Sequence, residues 1–109
     1  MKPIATVLAG LLLLAAVPAV ADPATLQLTP GKIFTDAAGA YVSVAVKNSG
    51  PATVAEVYVS CEFFAGNRSL GKASTTVFSI VSGVTGTDQV RLLGGTGATR
   101  ASCAITGQK

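Results

Sequence analysis

The chain has 109 residues and a formal net charge of +3, and it contains no histidine. Histidine is the side chain that most often moves protons in enzymes near neutral pH. The lysines and arginines stand singly along the sequence, whereas nucleic-acid-binding proteins cluster them on one face. Length and composition therefore favour one small domain, and they argue against an ordinary acid-base enzyme and against a nucleic-acid binder.

The first residues have the features of a secretory signal peptide. A positively charged start precedes an almost unbroken apolar run from Ile4 to Val17, and Ala19-Val20-Ala21 supplies the small-residue cleavage pattern. An uncleaved membrane anchor is the alternative, since the run approaches the ~20 residues of a membrane-spanning helix. Pro18 breaks a helix and favours cleavage. We expect a signal peptide over residues 1–21, a mature domain over residues 22–109, and a secreted or periplasmic protein.

Beyond this leader the sequence shows no helical periodicity. Short alternating segments recur about every ten residues between turn-forming residues, which is typical of a β-sandwich. The segments expected as strands are Thr25–Thr29, Lys32–Asp36, Tyr41–Lys47, Thr53–Phe64, Ser69–Ile80, Val84–Leu93 and Ala98–Thr106. The predicted fold class is all-β, an immunoglobulin-like antiparallel β-sandwich of about six or seven strands.

Turn-forming residues separate these segments. Pro30-Gly31 is expected to turn the chain, and Asn48–Pro51 begins a link that is long enough to carry the chain from one sheet to another. Ala65–Arg68 is expected to form a hairpin loop. The remaining turns are expected at Ser82-Gly83 and Gly94–Gly97.

The segment Thr53–Phe64 has the longest alternation, and the rest of the domain is expected to be built around it. Its apolar set should face the core and its more polar set should face water. The predicted inward residues are Ala55, Val57, Val59, Cys61 and Phe63, and the predicted outward residues are Val54, Glu56, Tyr58, Ser60, Glu62 and Phe64. In the other segments the expected inward residues are Leu26, Leu28, Val42, Val44, Val46, Val90 and Leu92.

Two cysteines in a short exported chain are best explained as one disulfide bond. Cys61 and Cys103 each lie on the apolar side of an alternating segment, so both thiols should point to the same core. Their bond would close a long loop and contribute about 4 kcal/mol in the chain-entropy model. A redox or metal-binding pair is the alternative, but the chain has neither a C-x-x-C motif nor a histidine that would complete a zinc site.

Three short motifs together resemble a known family. They are Val44-x-Val46-Lys47-Asn48-Ser49-Gly50, the alternating V-x-V-x-C-E-F-F segment, and Gly66-x-x-x-Leu70-Gly71. Over Tyr41–Leu92 they look like the FxLYD type of bacterial exported immunoglobulin-like domain, although Ala65 stands where that type has an aspartate. The resemblance implies an immunoglobulin-like fold and a binding or accessory role, and it transfers no functional residues.

Few residues are candidates for catalysis or ligand binding. Glu56 and Glu62 share a strand face, but their spacing of roughly 20 Å is too long for paired catalytic carboxylates. Gly94–Gly97 precedes a strand rather than a helix, so a hairpin turn is favoured over a phosphate loop. Asn67-Arg68-Ser69 is a glycosylation sequon that matters only in a eukaryotic source. No catalytic residue, cofactor or metal site is predicted.

Outward aromatic rings beside polar neighbours are typical of contact surfaces, and Tyr41, Tyr58 and Phe64 are the candidate binding residues. The sequence therefore favours a non-catalytic binding or structural module that contacts another exported protein or a second copy of itself. Nucleic acid is not an expected partner, and no membrane insertion is expected after signal cleavage. A small secreted enzyme inhibitor or enzyme accessory protein is the alternative. Partner binding is expected along the edge of the Ala98–Thr106 strand, because a seventh strand would normally pair there.

The cleavage pattern yields a first testable prediction. We expect the mature chain to begin at Asp22, because Ala19-Val20-Ala21 places small residues directly before it. N-terminal sequencing of the protein recovered after expression of the full chain tests this expectation. Recovery of an intact Met1 terminus in a membrane fraction would instead support the anchor.

Overall fold

The computed structural model describes residues 25–109 of the chain. The expected signal peptide and the expected mature terminus at Asp22 lie outside these residues. The described part forms six strands: β1 (Leu26–Thr35), β2 (Gly39–Asn48), β3 (Val54–Ala65), β4 (Arg68–Ile80), β5 (Thr85–Leu93) and β6 (Arg100–Gln108). All pairings between neighbouring strands are antiparallel. The predicted all-β class is therefore confirmed.

The six strands form two three-stranded sheets. Sheet 1 has the order β1-β2-β5, and sheet 2 has the order β4-β3-β6. The links β1–β2 and β3–β4 are hairpins within a sheet, whereas the other three links cross between sheets. The crossing after Asn48 confirms the expected link between sheets. A hairpin at Gly94–Gly97 was a wrong prediction, because the two strands that this turn joins, β5 and β6, lie in different sheets.

Alternating valines build the core between the two sheets. Val42, Val44 and Val46 on β2 are at most 1% exposed, and Val57 and Val59 on β3 are fully buried. These residues are β-branched, which suits a pleated surface that packs on one side. The predicted inward residues Leu26 and Val90 are buried, and Leu28 and Leu92 pack against the same core. The period of two was thus sufficient to orient four of the strands.

The start of β3 departs from the predicted alternation. Val54 is buried and Ala55 is exposed, which is the reverse of the expected assignment. The backbone N–H groups of Ala55 and Glu56 both donate to the carbonyl oxygen of Lys109, at 3.0 and 3.2 Å. Two consecutive residues that oppose one residue form a β-bulge, which shifts the side-chain alternation by one position. The bulge therefore turns the side chain of Val54 inward and that of Ala55 outward. Val57 and the residues after it keep the predicted orientations.

Pro30-Gly31 does not turn the chain, which corrects a third expectation. The two segments that were predicted on either side of it form the single strand β1. The strand absorbs the proline through a register shift between Pro30 and Ile33, where it pairs with β2. β1 is an outer strand of its sheet, and proline is tolerated there because its missing N–H can face away from the neighbouring strand.

Asn48 fixes the crossing from sheet 1 to sheet 2. Its side chain is fully buried, and its Nδ2 donates to the carbonyl oxygens of Ala52 at 2.7 Å and of Ile80 at 2.9 Å. Its Oδ1 accepts from the N–H of Gly50 at 3.0 Å. Its backbone also pairs with Gly83 and Val84. One amide thus joins the end of β2, the link that follows it and the end of β4.

Replacing Asn48 tests this role. We expect Asn48→Ala to lower the free energy of unfolding by about 3 kcal/mol, because it leaves two carbonyl oxygens and one N–H buried without their partner. Asn48→Asp should cost more at neutral pH, since a buried carboxylate would face two carbonyl oxygens. Urea unfolding followed by circular dichroism measures both changes. Ser49→Ala, at an exposed neighbouring position, is the control, and an equal loss in all three variants would contradict the assignment.

Candidate functional site

The predicted Cys61–Cys103 disulfide is confirmed and links the two inner-facing positions of neighbouring strands. Its sulfur atoms are 2.02 Å apart, and the two Cα atoms are 4.0 Å apart. The residues are direct partners in the pairing of β3 with β6. Cys61 is fully buried, and Cys103 packs against the core. The bond therefore ties β6 to the centre of sheet 2, and a disulfide is typical of proteins in oxidising compartments outside the cytosol.

The far side of β6 is an open sheet edge. Within residues 25–109, β6 pairs only with β3. The 4.0 Å separation of the Cys61 and Cys103 Cα atoms lies nearer the ~4.5 Å of a non-hydrogen-bonded antiparallel pair than the ~5.5 Å of a hydrogen-bonded pair. In a non-hydrogen-bonded pair the N–H and C=O groups of the two residues point away from each other. The backbone N–H and C=O groups of Cys103 therefore point to the open side of β6. The same groups of Ala101 and Ile105 also point there, because these residues lie two positions away on either side.

The three other outer strands have features that hinder the addition of a further strand. β1 contains Pro30 and a register shift beside it. β4 contains Lys72, and β5 contains Asp88 and Arg91, charged residues that discourage pairing with a further strand. β6 has no proline, and it has no charged residue between Arg100 and Lys109. Among the described strands, β6 is thus the outer strand that is best able to pair with another chain.

Arg100 lies at the start of β6, but its charge is directed across the sheet rather than over the edge. Its guanidinium lies 4.0 Å from the centre of the Phe64 ring, and its Nε donates to the carbonyl oxygen of Gly66 at 3.0 Å. The cation–π contact and the hydrogen bond together hold the Arg100 side chain against the β3–β4 hairpin. Arg100 therefore does not protect the edge between Ala101 and Ile105.

The outer face of sheet 2 contains a shallow depression of about 270 Å³. It arises because small side chains stand at neighbouring positions of β3 and β6, with larger ones around them. The lining residues are Ser60, Glu62, Lys72, Ser102, Ala104 and Thr106. The floor of the depression continues onto the outward face of β6, so the open edge borders a surface of small polar and apolar groups.

The candidate residues Tyr58 and Phe64 lie on this outer face of sheet 2, but each ring has a partner within the domain. The Tyr58 hydroxyl donates to Glu56 Oε1 at 2.5 Å, which raises the pKa of the tyrosine because the bond favours its neutral form. Phe64 lies under Arg100. Both rings are partly buried, and they stabilise the ends of β3.

Tyr41 lies on the other sheet, so the three candidate aromatic residues do not form one surface. Its ring stacks on Phe34 of β1, with 5.5 Å between the ring centres. On the other side the Arg91 guanidinium lies 4.8 Å from the centre of the Tyr41 ring. Arg91 Nη1 also donates to Asp36 Oδ2 at 3.2 Å. These residues form a row across all three strands of sheet 1.

Asp36 closes the turn between β1 and β2. Its Oδ1 accepts from the N–H groups of Ala38 at 2.9 Å and of Gly39 at 3.0 Å. These two backbone bonds, followed by the bond from Arg91, lower the pKa of the Asp36 carboxyl from its ordinary value of 3.8. The turn is therefore more stable when the carboxyl is ionised.

The two strand glutamates have structural partners. Glu56 accepts from Tyr58, and Glu62 Oε2 accepts from the hydroxyl of Ser69 at 2.6 Å. Residues 25–109 contain no group of three or more metal-binding side chains that could hold an ion. Asn67 of the sequon is exposed in the β3–β4 turn. In the same residues, no helix is long and apolar enough to span a membrane.

Two features of the site were not visible in the sequence alone. Asn48 was interpreted only as a turn former, because the carbonyl oxygens that it bonds belong to residues far from it in the chain. The contact of Arg100 with Phe64 depends on the register of β3 and β6, which the sequence alone does not give. A polar residue that directly follows an alternating valine segment is the one sequence signal that could have drawn attention to Asn48.

Comparisons with known proteins add no relative. No family model matches this chain, and no curated protein sequence or solved structure matches it either.

The lowered pKa of Asp36 predicts a pH-dependent contribution to stability. Since the folded-state pKa lies below 3.8, the contribution is complete above that pH and is lost as the pH falls through the folded-state value. We expect Asp36→Asn to lower the melting temperature near neutral pH, with the difference from the unaltered protein disappearing at the acid end of the titration. Thermal unfolding followed by circular dichroism over an acid pH series measures this.

Arg91→Gln is the matched control for this prediction. It removes the smaller cause of the pKa shift and keeps the two backbone bonds, so most of the pH-dependent difference should remain. If Arg91→Gln abolishes the pH dependence as completely as Asp36→Asn does, the ion pair rather than the turn is the main cause.

Proposed function

We propose that this chain is an exported, non-catalytic binding module with an immunoglobulin-like fold, and that it binds a second polypeptide along the open edge of β6. The observation that carries the proposal is that β6 lacks proline and charge between Ala101 and Ile105, while the other outer strands contain proline or charged residues. Extended segments add to such edges through main-chain hydrogen bonds. The neighbouring side chains then select the partner.

The strand order supports the immunoglobulin-like part of the proposal. In that fold, strands A, B and E are neighbours in one sheet, and strands C′, C, F and G are neighbours in the other. The order β1-β2-β5 corresponds to A-B-E, and the order β4-β3-β6 corresponds to C′-C-F. β6 then takes the position of strand F, whose open side is where strand G pairs in that fold.

The position of the disulfide is a difference from antibody domains. Those domains bridge strands B and F between the two sheets. Here the bond joins β3 and β6, which are neighbours within sheet 2. A bond in this position supports a binding edge, because it fixes the outer strand to the centre of its sheet.

Two features support export and one supports a non-catalytic role. The first residues have the pattern of a signal peptide, and a disulfide is typical of exported proteins. Glu56 and Glu62 are engaged by neighbouring hydroxyl groups, and the depression beside Glu62 is shallow and open. A binding module does not need a catalytic group or a deep cleft. It needs only a contact surface, such as the one around these residues.

Amide hydrogen exchange tests the proposed edge. In dilute protein, we expect the outward amides of Ala101, Cys103 and Ile105 to exchange much faster than those of Ser102 and Ala104, which bond to β3. Addition of concentrated exported proteins from the producing cells should slow the outward set. Nuclear magnetic resonance resolves the individual amides. Slow exchange of the outward set in a sample that is monomeric would overturn the proposal.

A proline substitution provides the matching mutational test. Ala101→Pro removes an N–H that points to the open side, and the hydrogen bonds between β6 and β3 remain. We expect the variant to fold and to lose the protection that partners confer on Cys103 and Ile105. Ala101→Ser keeps the N–H and should retain this protection. Equal protection in both variants would show that binding occurs elsewhere.

A further inference from the structure

We infer that the polypeptide that pairs with β6 is the β6 strand of a second copy of this chain, related by a two-fold axis through Cys103. The inference rests on the proposed function, because it needs β6 to be the binding edge. Antiparallel pairing about this axis would join two copies of sheet 2 into one six-stranded sheet, in the order β4-β3-β6-β6-β3-β4.

The backbone geometry suits this axis. The outward N–H and C=O groups belong to Ala101, Cys103 and Ile105, which are placed symmetrically about Cys103. In a two-fold antiparallel pair, Cys103 faces Cys103 of the second copy, and Ala101 faces Ile105 in both directions. Each of these pairs can exchange two main-chain hydrogen bonds. Both copies therefore satisfy their outward groups with each other.

The length of the regular edge also selects this centre. Arg100 begins β6, and the register with β3 shifts where Ile105 pairs with Val59 and Gly107 pairs with Tyr58. Thr106 is thus the extra residue of a bulge, which ends the regular stretch. The outward main-chain groups of the regular stretch belong to Ala101, Cys103 and Ile105, so an axis at Cys103 uses all of them.

The side chains of β6 are self-complementary about the same axis. On the inner side, the small Ala101 faces the large Ile105, and both pack partly against the core. On the outer side, Ser102 faces Ala104, and Arg100 faces Thr106. No charged residue faces a like charge, which would destabilise the pair. The strand thus lacks the charges and the proline that prevent pairing of identical edges in other sheets.

The outer-face pairs provide a specific test. Ser102 and Ala104 face each other at a non-hydrogen-bonded pair, where side chains of the two strands are closest. Both are exposed, so charged side chains at these positions leave the core unchanged. A chain with Ser102→Lys and Ala104→Lys would place lysines opposite each other twice in the dimer. A chain with Ser102→Glu and Ala104→Glu would do the same with carboxylates.

The experiment is sedimentation velocity on protein purified after expression of the full chain. We expect the unaltered protein to associate to a dimer as its concentration rises. The doubly lysine-substituted and doubly glutamate-substituted chains should each remain monomeric alone, and they should form a one-to-one dimer when they are mixed at low salt. High salt should weaken that mixed dimer, because its specificity is electrostatic.

Failure of this inference can be told apart from failure of the proposed function. If the unaltered protein stays monomeric at every concentration, or if the charged chains do not associate on mixing, the second copy is not the partner. The proposed function still stands in that case when exported proteins protect the outward amides of β6. If those amides are already slow in a sample that sedimentation shows to be monomeric, the edge itself is closed and both proposals are wrong.

Discussion

The buried side-chain amide of Asn48 is the interaction on which the relation between the two sheets depends. The core valines are apolar and non-directional, so they favour contact between the sheets without fixing how the chain passes from one to the other. Asn48 fixes the path of the chain between the sheets, since its amide forms hydrogen bonds with the carbonyl oxygens of Ala52 and Ile80 and with the N–H of Gly50. A buried amide whose donors and acceptor all have partners specifies one arrangement, because every alternative leaves a polar group without a partner.

This crossing sets the position of the candidate site. Once β2 and β3 lie in different sheets, the hairpin from β3 to β4 occupies one side of β3, and β6 occupies the other. Among residues 25–109, β6 then becomes an outer strand with its far side open. The proposed binding edge is thus a consequence of strand order, and no residue within β6 specifies it alone.

Much of the strand structure was predictable because one period of two describes most of the domain. The valines of β2 and the residues from Val57 onward face the sides that the alternation predicted. The errors fall where the backbone departs from regular pairing. The bulge at Ala55 and Glu56 depends on the carbonyl oxygen of Lys109, which is distant in sequence, and the shift at Pro30 depends on a neighbouring strand that accommodates the proline. A local sequence pattern cannot predict a contact with a residue that only the folded chain brings close.

The disulfide explains how an outer strand can remain ordered while one side of it is open. Strand edges fray, because their residues make half of the main-chain hydrogen bonds of a central strand. The Cys61–Cys103 bond lies at the middle of the regular stretch of β6 and removes about 4 kcal/mol of chain entropy from the unfolded state. Under the proposed function, a partner strand meets an edge that is already extended, so binding does not have to order both strands. The same bond that stabilises the isolated domain would therefore also prepare β6 for the proposed association, and a bridge within sheet 2 suits that proposal better than a bridge between the sheets would.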